Sequence, residues 1–163
     1  MAKTSNWSQE FPCSADVLYG IVTTGEFHVA RSGLLENPSA RAEETLRTAD
    51  RLELTIHCTE YAKGVMGVDK SKTEETKTFY KCDLKARKVD WTYESPQGKR
   101  VKVWGSMAVT EAGEGRARLS QTFNVDISIP LVGGKIEGIV LKETEKFWPK
   151  YAKLVGDFVA KAG

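Results

Sequence analysis

The C-terminal segment constrains the fold more than any other part of this sequence. From Lys135 to Ala162, apolar residues recur at three- and four-residue intervals, which places them on one face of an α-helix. Lysines occupy much of the opposite face. A helix of this length extends about 42 Å at 1.5 Å per residue. It therefore needs a broad apolar surface, supplied by the rest of the chain, to cover its buried face. The apolar positions are Ile136, Ile139, Val140, Phe147, Tyr151, Leu154, Val155, Phe158, Val159 and Ala162.

The junction before this helix contains two kinds of backbone signal. A strand-like alternation stops at Pro130, which cannot donate a hydrogen bond to a sheet and so ends strand pairing. Gly133 and Gly134 follow, and glycine permits the backbone conformations of a sharp change in direction. We interpret the segment as a strand-to-helix hinge. A phosphate-binding loop is less well supported, because Gly-Gly-Lys here lacks the GxxxxGK[ST] pattern.

The residues before the junction predict mostly strands. An alternating segment at Asn6–Phe11 is followed by two short helical patterns that end before Asn37-Pro38. From Ser39 to Ile129, six alternating segments are separated by turn residues. Alternation indicates an antiparallel sheet that is covered on one face only. We therefore predict a single α+β domain spanning residues 1–163, with a curved antiparallel sheet of about seven strands, two short helices after the first strand and a long C-terminal helix.

This order of elements resembles the START-like, or helix-grip, superfamily, which includes lipid-transfer domains, plant pathogenesis-related proteins and polyketide cyclases. More narrowly, residues Ile129 to Glu137 resemble a branch of bacterial proteins of unassigned function with a PLVGGK-type junction before the last helix. The resemblance implies a cavity between the sheet and the C-terminal helix, occupied by a lipid-like or polycyclic hydrophobic molecule. It transfers no catalytic residues to this chain.

Composition narrows the range of partners. The chain has 24 basic and 22 acidic residues and a net charge of +2, which gives no electrostatic footprint for nucleic acid. The N-terminus lacks the apolar core of a signal peptide, and no apolar run reaches the about 20 residues of a membrane span. The three cysteines lack CxxC spacing, which is typical of reduced thiols. We expect a cytoplasmic protein without a cofactor. We also expect no metal site, because His28 and His57 have no ligand-type spacing around them.

Side chains with inward parity are the candidates for ligand contact. A buried polar group is costly unless it is hydrogen-bonded, so inward polar residues either satisfy one another or face the polar part of a ligand. Gly105 and Met107 on the same face are predicted to leave volume for a ligand. The polar candidates are Gln9, Glu44, Tyr80, Tyr93, Gln121 and Glu143. The apolar candidates are Leu54, Ile56, Trp91, Val103, Met107, Phe123 and Phe147.

The segment Lys63–Lys72 is the candidate gate. Val65, Met66 and Val68 lie in this glycine-containing stretch between lysines, which suits a lid over the cavity or a tip in transient contact with an anionic membrane. The same composition suits a loop that closes one end of the core. The sequence does not predict an oligomeric state.

Two other classes of function remain open. One is a small enzyme of the cyclase or hydratase type, with Glu143 or Glu44 and Tyr80 in general acid–base roles. The other is a protein-interaction module that uses the open sheet edge or the valine–methionine loop.

Overall fold

The computed structural model describes residues 2–64 and 66–163, and in these residues it contains seven strands and three α-helices. A single 3₁₀ turn at Gly98–Arg100 lies between two of the strands. This order confirms the predicted α+β architecture. The elements are β1 Lys3–Phe11, α1 Ala15–Val22, α2 Gly25–Leu34, β2 Ser39–Arg47, β3 Arg51–Gly64, β4 Gly67–Asp83, β5 Lys88–Glu94, β6 Val101–Glu111, β7 Ala117–Ile127 and α3 Gly133–Ala162.

The strands form one curved antiparallel sheet in the order β1-β7-β6-β5-β4-β3-β2. The strands β2 to β7 follow one another as a meander, and α1 and α2 carry the chain from one sheet edge to the other. Because the pairing is in register, inward side chains form rows across the concave face. One such row consists of Phe123, Gly105, Trp91, Tyr80 and Leu54.

The three helices share the coverage of the concave face. The long helix α3 packs mainly on β1 and β7, while α1 lies against β6 and β7, and α2 lies against β2 and β3. Trp7 of β1 stacks on Trp148 of α3 with 5.5 Å between ring centroids, and Tyr151 meets Trp7 edge-on. The middle and C-terminal parts of α3 are therefore held by aromatic packing.

The junction before α3 connects the end of β7 to the helix, and Gly133 packs closely against the backbone of Ile127 there. The helix begins at Gly133, two residues earlier than predicted. A Cβ atom at Gly133 would collide with the carbonyl oxygen of Ile127, so only glycine fits at this position. The buried carboxylate of Glu137 accepts a hydrogen bond from the Ile127 backbone N–H at 2.7 Å. The first turn of α3 is thus fastened directly to the end of β7.

The beginnings of the two short helices follow ordinary capping rules. Ser14 Oγ accepts a hydrogen bond from the Val17 backbone N–H, and Thr24 Oγ1 accepts one from Phe27. Gly25 is the first residue of α2. An added Cβ at Gly25 would collide with Ala42 of β2, so this glycine lets α2 approach the sheet edge.

The segment that was predicted to be a gate loop is mostly a β-hairpin. Strands β3 and β4 remain paired as far as Gly64 and Gly67, so the expectation of a loop over residues 63–72 is wrong. Val65 lies outside the described residues. Met66 is 97% exposed and Val68 is 56% exposed, so neither closes the core. Their role as a gate stays a prediction.

Candidate functional site

Two groups of polar side chains on the concave face are candidates for a functional site. The first, which we call the inner cluster, consists of His28, Arg31, Tyr80, Gln121 and Tyr151. These residues come from α2, β4, β7 and α3, so the cluster exists only in the folded chain.

Stacking and strand register define the geometry of the inner cluster. The His28 ring stacks on Tyr80 with 4.0 Å between centroids. The Tyr151 hydroxyl donates to the sulfur of Met107 at 3.8 Å, and Met107 lies directly opposite Gln121 on the neighbouring strand. The side chain of Tyr151 therefore extends from α3 down to the β6–β7 pair.

Several polar atoms of the inner cluster have no hydrogen-bond partner among the described residues. They include Gln121 Nε2 and His28 Nδ1, both of which are fully buried. The hydroxyl of Tyr80, on a side chain that is almost completely buried, also makes no hydrogen bond within the described part of the chain. Buried polar atoms are nearly always paired, so a group of orphans in one place indicates a missing partner.

Burial changes the acid–base behaviour of these groups. Desolvation, together with the positive charge of Arg31, lowers the pKa of His28 to about 3. Desolvation also raises the pKa of both Tyr80 and Tyr151, against the opposing charge of Arg31. At neutral pH, the imidazole is therefore uncharged and both phenols keep their protons.

Arg31 is the cation of the inner cluster. Its guanidinium lies over the Phe147 ring, 5.1 Å from the centroid, and the side chain is half-buried between α2 and α3. In residues 2–64 and 66–163, no carboxylate lies within ion-pair distance of it.

The second group, which we call the outer cluster, consists of Glu60, Thr76 and Tyr93. The buried Glu60 Oε2 accepts hydrogen bonds from the hydroxyl of Thr76 and from Tyr93 at 3.0 Å. Lys63 lies 3.3 Å from the other carboxylate oxygen. Desolvation, with the nearby charge of Glu60, raises the pKa of Tyr93. Unlike the inner cluster, this group is internally satisfied.

Ten of the thirteen predicted contact residues lie on the interior side of the sheet or helix. Tyr80, Met107, Gln121 and Phe147 are part of the inner cluster or border it. Trp91, Tyr93, Val103 and Phe123 lie on the neighbouring rows of β5, β6 and β7, and the last three are only partly buried. Leu54 and Ile56 are buried in β3. The contact of these residues with a ligand stays a prediction.

The inward placement of the other three candidates is wrong. Gln9 has the expected parity, but its side chain is exposed on edge strand β1. Glu44 is exposed on edge strand β2 and pairs with Arg47 at 2.6 Å. Glu143 is 68% exposed and lies 3.5 Å from Lys146, because the buried face of α3 passes through Glu137 and Phe147 instead.

The volume predicted beside Gly105 is filled by the protein itself. A Cβ atom at Gly105 would lie 2.6 Å from the Trp91 ring, so the glycine makes room for the indole of its cross-strand neighbour. The interior at this point is aromatic core.

The sequence reasoning missed the residues that complete both clusters. Glu60 continues the inward alternation of Ile56 and Cys58 by one more step, and this signal was present in the strand pattern. Arg31 follows Phe27 by four residues, which places both on one helical face. No local signal shows that Arg31 lacks a carboxylate partner, because that depends on the packing of α2 against α3.

A surface recess lies beside these groups. It has a volume of about 410 Å³ at the end of β5 and β6, and its lining includes Tyr93, Val101, Val103 and Trp104. Tyr93 and Val103 connect the recess to the concave face. The rings of Phe147, Trp148 and Tyr151 pack together in the middle of α3, and the cavity beneath that helix stays a prediction.

Solved structures with the same fold identify the architectural class. An aromatase/cyclase from Streptomyces sp. R1128 superposes with a TM-score of 0.66 at 10% identity, over 100% of this chain and 97% of the other. A START superfamily protein from Mycobacterium smegmatis gives 0.60 at 14% identity, over 98% and 99%. A protein from Thermus thermophilus gives 0.67 at 17% identity, over 99% of both chains. The chain thus has the helix-grip fold of START and Bet v 1-like proteins.

Within that class, residues 6–159 match the model of the family described as "Protein of unknown function (DUF2505)", and the chain belongs to that family. No curated protein matches the chain in sequence. Among the described residues, no helix has both the length and the apolar character needed to cross a membrane.

Proposed function

We propose that this protein binds a hydrophobic small molecule, lipid-like or polycyclic, as one ligand-binding domain. The binding site lies between the concave face of the sheet and helices α2 and α3. The structural relatives support this at the level of class, since they include a START superfamily protein and an aromatase/cyclase. Binding in the cytoplasm without a cofactor is part of the same proposal.

The observation that carries the proposal is the set of orphaned polar atoms in an apolar interior. Gln121 Nε2 and His28 Nδ1 are buried without partners in the described chain, and they are surrounded by aromatic rings. A solid core would not retain such atoms without cost, since each buried unsatisfied group costs about 1–3 kcal/mol. The polar end of a ligand would accept the hydrogen bond that Gln121 Nε2 can donate.

The route to these atoms follows the partly buried apolar side chains. Tyr93, Val103 and Phe123 lie between the recess at the β5–β6 end and the inner cluster. Apolar surface removed from water along this route contributes about 25 cal/mol per Å² before association costs. The exposed tip at Met66 and Val68 belongs to the same end of the sheet and would act as the gate.

Titration with the neutral fluorescent probe N-phenyl-1-naphthylamine tests the proposal. We expect saturable binding that enhances the probe fluorescence and changes the protein tryptophan signal. Val103→Phe should fill the route and weaken binding at least about fivefold, the equivalent of roughly 1 kcal/mol. Thr110→Phe, at an exposed position on the other face of the same strand and outside the recess, is the matched control and should bind like the wild type. Non-saturable binding, or equal weakening by both substitutions, would contradict the proposal.

An enzyme of the cyclase or hydratase type is the second candidate. The residues first considered for it do not meet, because Glu44 and Glu143 are exposed at the surface. Glu60 and Tyr93 form a carboxylate–phenol pair at 3.0 Å, which is the arrangement that acid–base chemistry requires. Thr76 and Lys63 also hold this carboxylate, however, so three donors already engage it. Binding is therefore the better-supported proposal.

A further inference from the structure

We infer that the ligand is an amphipathic carboxylate, whose acidic head is held at Arg31 with Tyr80 and Gln121 and whose apolar body lies along the concave face. This inference rests on the proposed function and specifies the chemical class of the ligand.

The first step is the uncompensated charge of Arg31. Its guanidinium is half-buried over the Phe147 ring, and no carboxylate of the described residues pairs with it. A cation taken partly out of water is costly unless it has a counterion. The guanidinium N–H groups make no side-chain hydrogen bond among the described residues, so they remain available to a carboxylate beside the cation–π contact.

The second step is the type of hydrogen-bonding group beside this charge. Tyr80 has a free hydroxyl and Gln121 has a free amide NH₂, and both are hydrogen-bond donors. Ring contacts and strand register place these groups near one another. Arg31 lies over Phe147, whose ring is 5.8 Å from that of Tyr151. The Tyr151 hydroxyl reaches Met107, which lies opposite Gln121, and His28, one turn before Arg31 on α2, stacks on Tyr80. A cation accompanied by free donors is complementary to an anion.

His28 does not take part in holding the head group. Its Nε2 lies 2.8 Å from the carbonyl oxygen of Val22, so this nitrogen carries the proton and donates. The orphaned Nδ1 is then an acceptor, and an acceptor does not bind an anion. Its role is to support Tyr80 by stacking.

The third step is the count of charges. Arg31 supplies one positive charge, and a carboxylate supplies one negative charge. A phosphate monoester carries nearly two at neutral pH and would leave excess negative charge in a poorly solvated place. The planar guanidinium also matches a carboxylate in two parallel hydrogen bonds.

The experiment compares two fluorescent ligands that share a pyrene body, 1-pyrenebutyric acid and 1-pyrenebutanol. We expect the wild-type protein to bind the acid about tenfold more tightly than the alcohol, because charge-assisted hydrogen bonds form only with the acid. Arg31→Gln, which keeps hydrogen-bonding capacity but removes the charge, should reduce the difference to about twofold or less. Arg31→Lys should retain most of the preference, and it keeps the test available if Arg31→Gln unfolds.

The exposed residue Arg41 provides the matched control, since Arg41→Gln removes the same charge from edge strand β2. This variant should keep the wild-type preference for the acid. Equal affinity of the wild type for acid and alcohol would overturn the inference and leave the proposed function standing. A preference that survives Arg31→Gln would overturn the assignment to Arg31. Failure to bind either pyrene compound would instead contradict the proposed function itself.

Discussion

The inner and outer clusters lie on the same concave face, yet they differ in how their polar groups are satisfied. In the outer cluster, one buried carboxylate is engaged by two hydroxyls and a lysine, all from neighbouring strands or the same strand. In the inner cluster, a cation, a phenol and an amide from three different elements lack partners among the described residues. One cluster is complete and the other is open.

This difference assigns the two clusters different roles, the outer one in the stability of the fold and the inner one in ligand binding. A satisfied buried network stabilises the fold, and removing any member leaves the others without partners. An unsatisfied network reduces stability until something completes it. The outer cluster therefore fastens β3, β4 and β5 together at the open end of the sheet, and the inner cluster is where a ligand would add most free energy. Four substitution experiments can break or sharpen this distinction.

The largest effect is expected from Thr76→Val in the outer cluster. This change removes a hydroxyl that donates to the buried carboxylate of Glu60 while nearly conserving the side-chain shape. We expect the free energy of unfolding to fall by about 2–3 kcal/mol, because a charged acceptor loses a buried donor. Urea denaturation monitored by circular dichroism measures it.

The matched control is Thr78→Val, two residues along the same face of β4, where the hydroxyl makes no hydrogen bond within the described chain. Its effect should stay within about 0.5 kcal/mol. Similar losses at positions 76 and 78 would show that the outer cluster adds nothing specific.

The inner cluster should make stability depend on pH. Burial lowers the pKa of His28 to about 3 in the folded protein, against 6.5 for an ordinary histidine. The unfolded chain therefore takes up a proton first as the pH falls, and the contribution of His28, complete above pH 6.5, is lost progressively down to about pH 3. Between about pH 6.5 and about pH 5 the loss is about 2 kcal/mol.

Urea denaturation at about pH 7 and about pH 5 measures this loss, and the range avoids most carboxylate titration. In His28→Gln, which keeps a donor for the Val22 carbonyl, the loss should disappear. In His57→Gln, the only other histidine position, it should remain. If the pH-dependent loss of stability disappears in His57→Gln and remains in His28→Gln, its assignment to the inner cluster is refuted.

A smaller effect of opposite sign is expected from Gln121→Met. The substitution removes an orphaned amide from the interior, so the ligand-free protein should be as stable as the wild type or up to about 1 kcal/mol more stable. Thermal unfolding of delipidated protein checks this. Gln9→Met, on the same sheet face but exposed, should change nothing. A clear destabilisation by Gln121→Met would mean that the amide is already satisfied in the apo protein.

The smallest effect is expected from Glu143→Gln. This carboxylate is predicted from sequence to face the interior, but it is exposed and pairs with Lys146 at 3.5 Å. The free energy of unfolding should change by less than about 0.5 kcal/mol, as for other exposed ion pairs. A decrease in the free energy of unfolding as large as that of Thr76→Val would indicate that Glu143 faces the interior.

Periodicity predicted the elements better than it predicted the site. The strand segments and the helical face from Phe147 to Val159 follow directly from spacing, and the structure confirms them. The error at Glu143 arose because this residue was placed between Val140 and Phe147, whereas the buried face is centred on Glu137, Tyr151 and Val155. At about 100° per residue, Glu143 lies about 120° around the axis from Glu137. Parity alone likewise placed Gln9 and Glu44 inward without showing that both side chains remain exposed on the edge strands β1 and β2.

Three features of the sequence by themselves determined the architecture. They are the alternation of apolar and polar residues, the junction with Pro130 and Gly133-Gly134, and the amphipathic C-terminal segment. They act through short-range sterics and through the burial of one face, and both are encoded locally. Only the tertiary structure decided which polar groups are satisfied. Arg31, Tyr80 and Gln121 are far apart in the chain, and whether each has a partner depends on how α2 and the sheet meet. Hydrogen-bond satisfaction is a property of that assembly, and sequence spacing does not contain it.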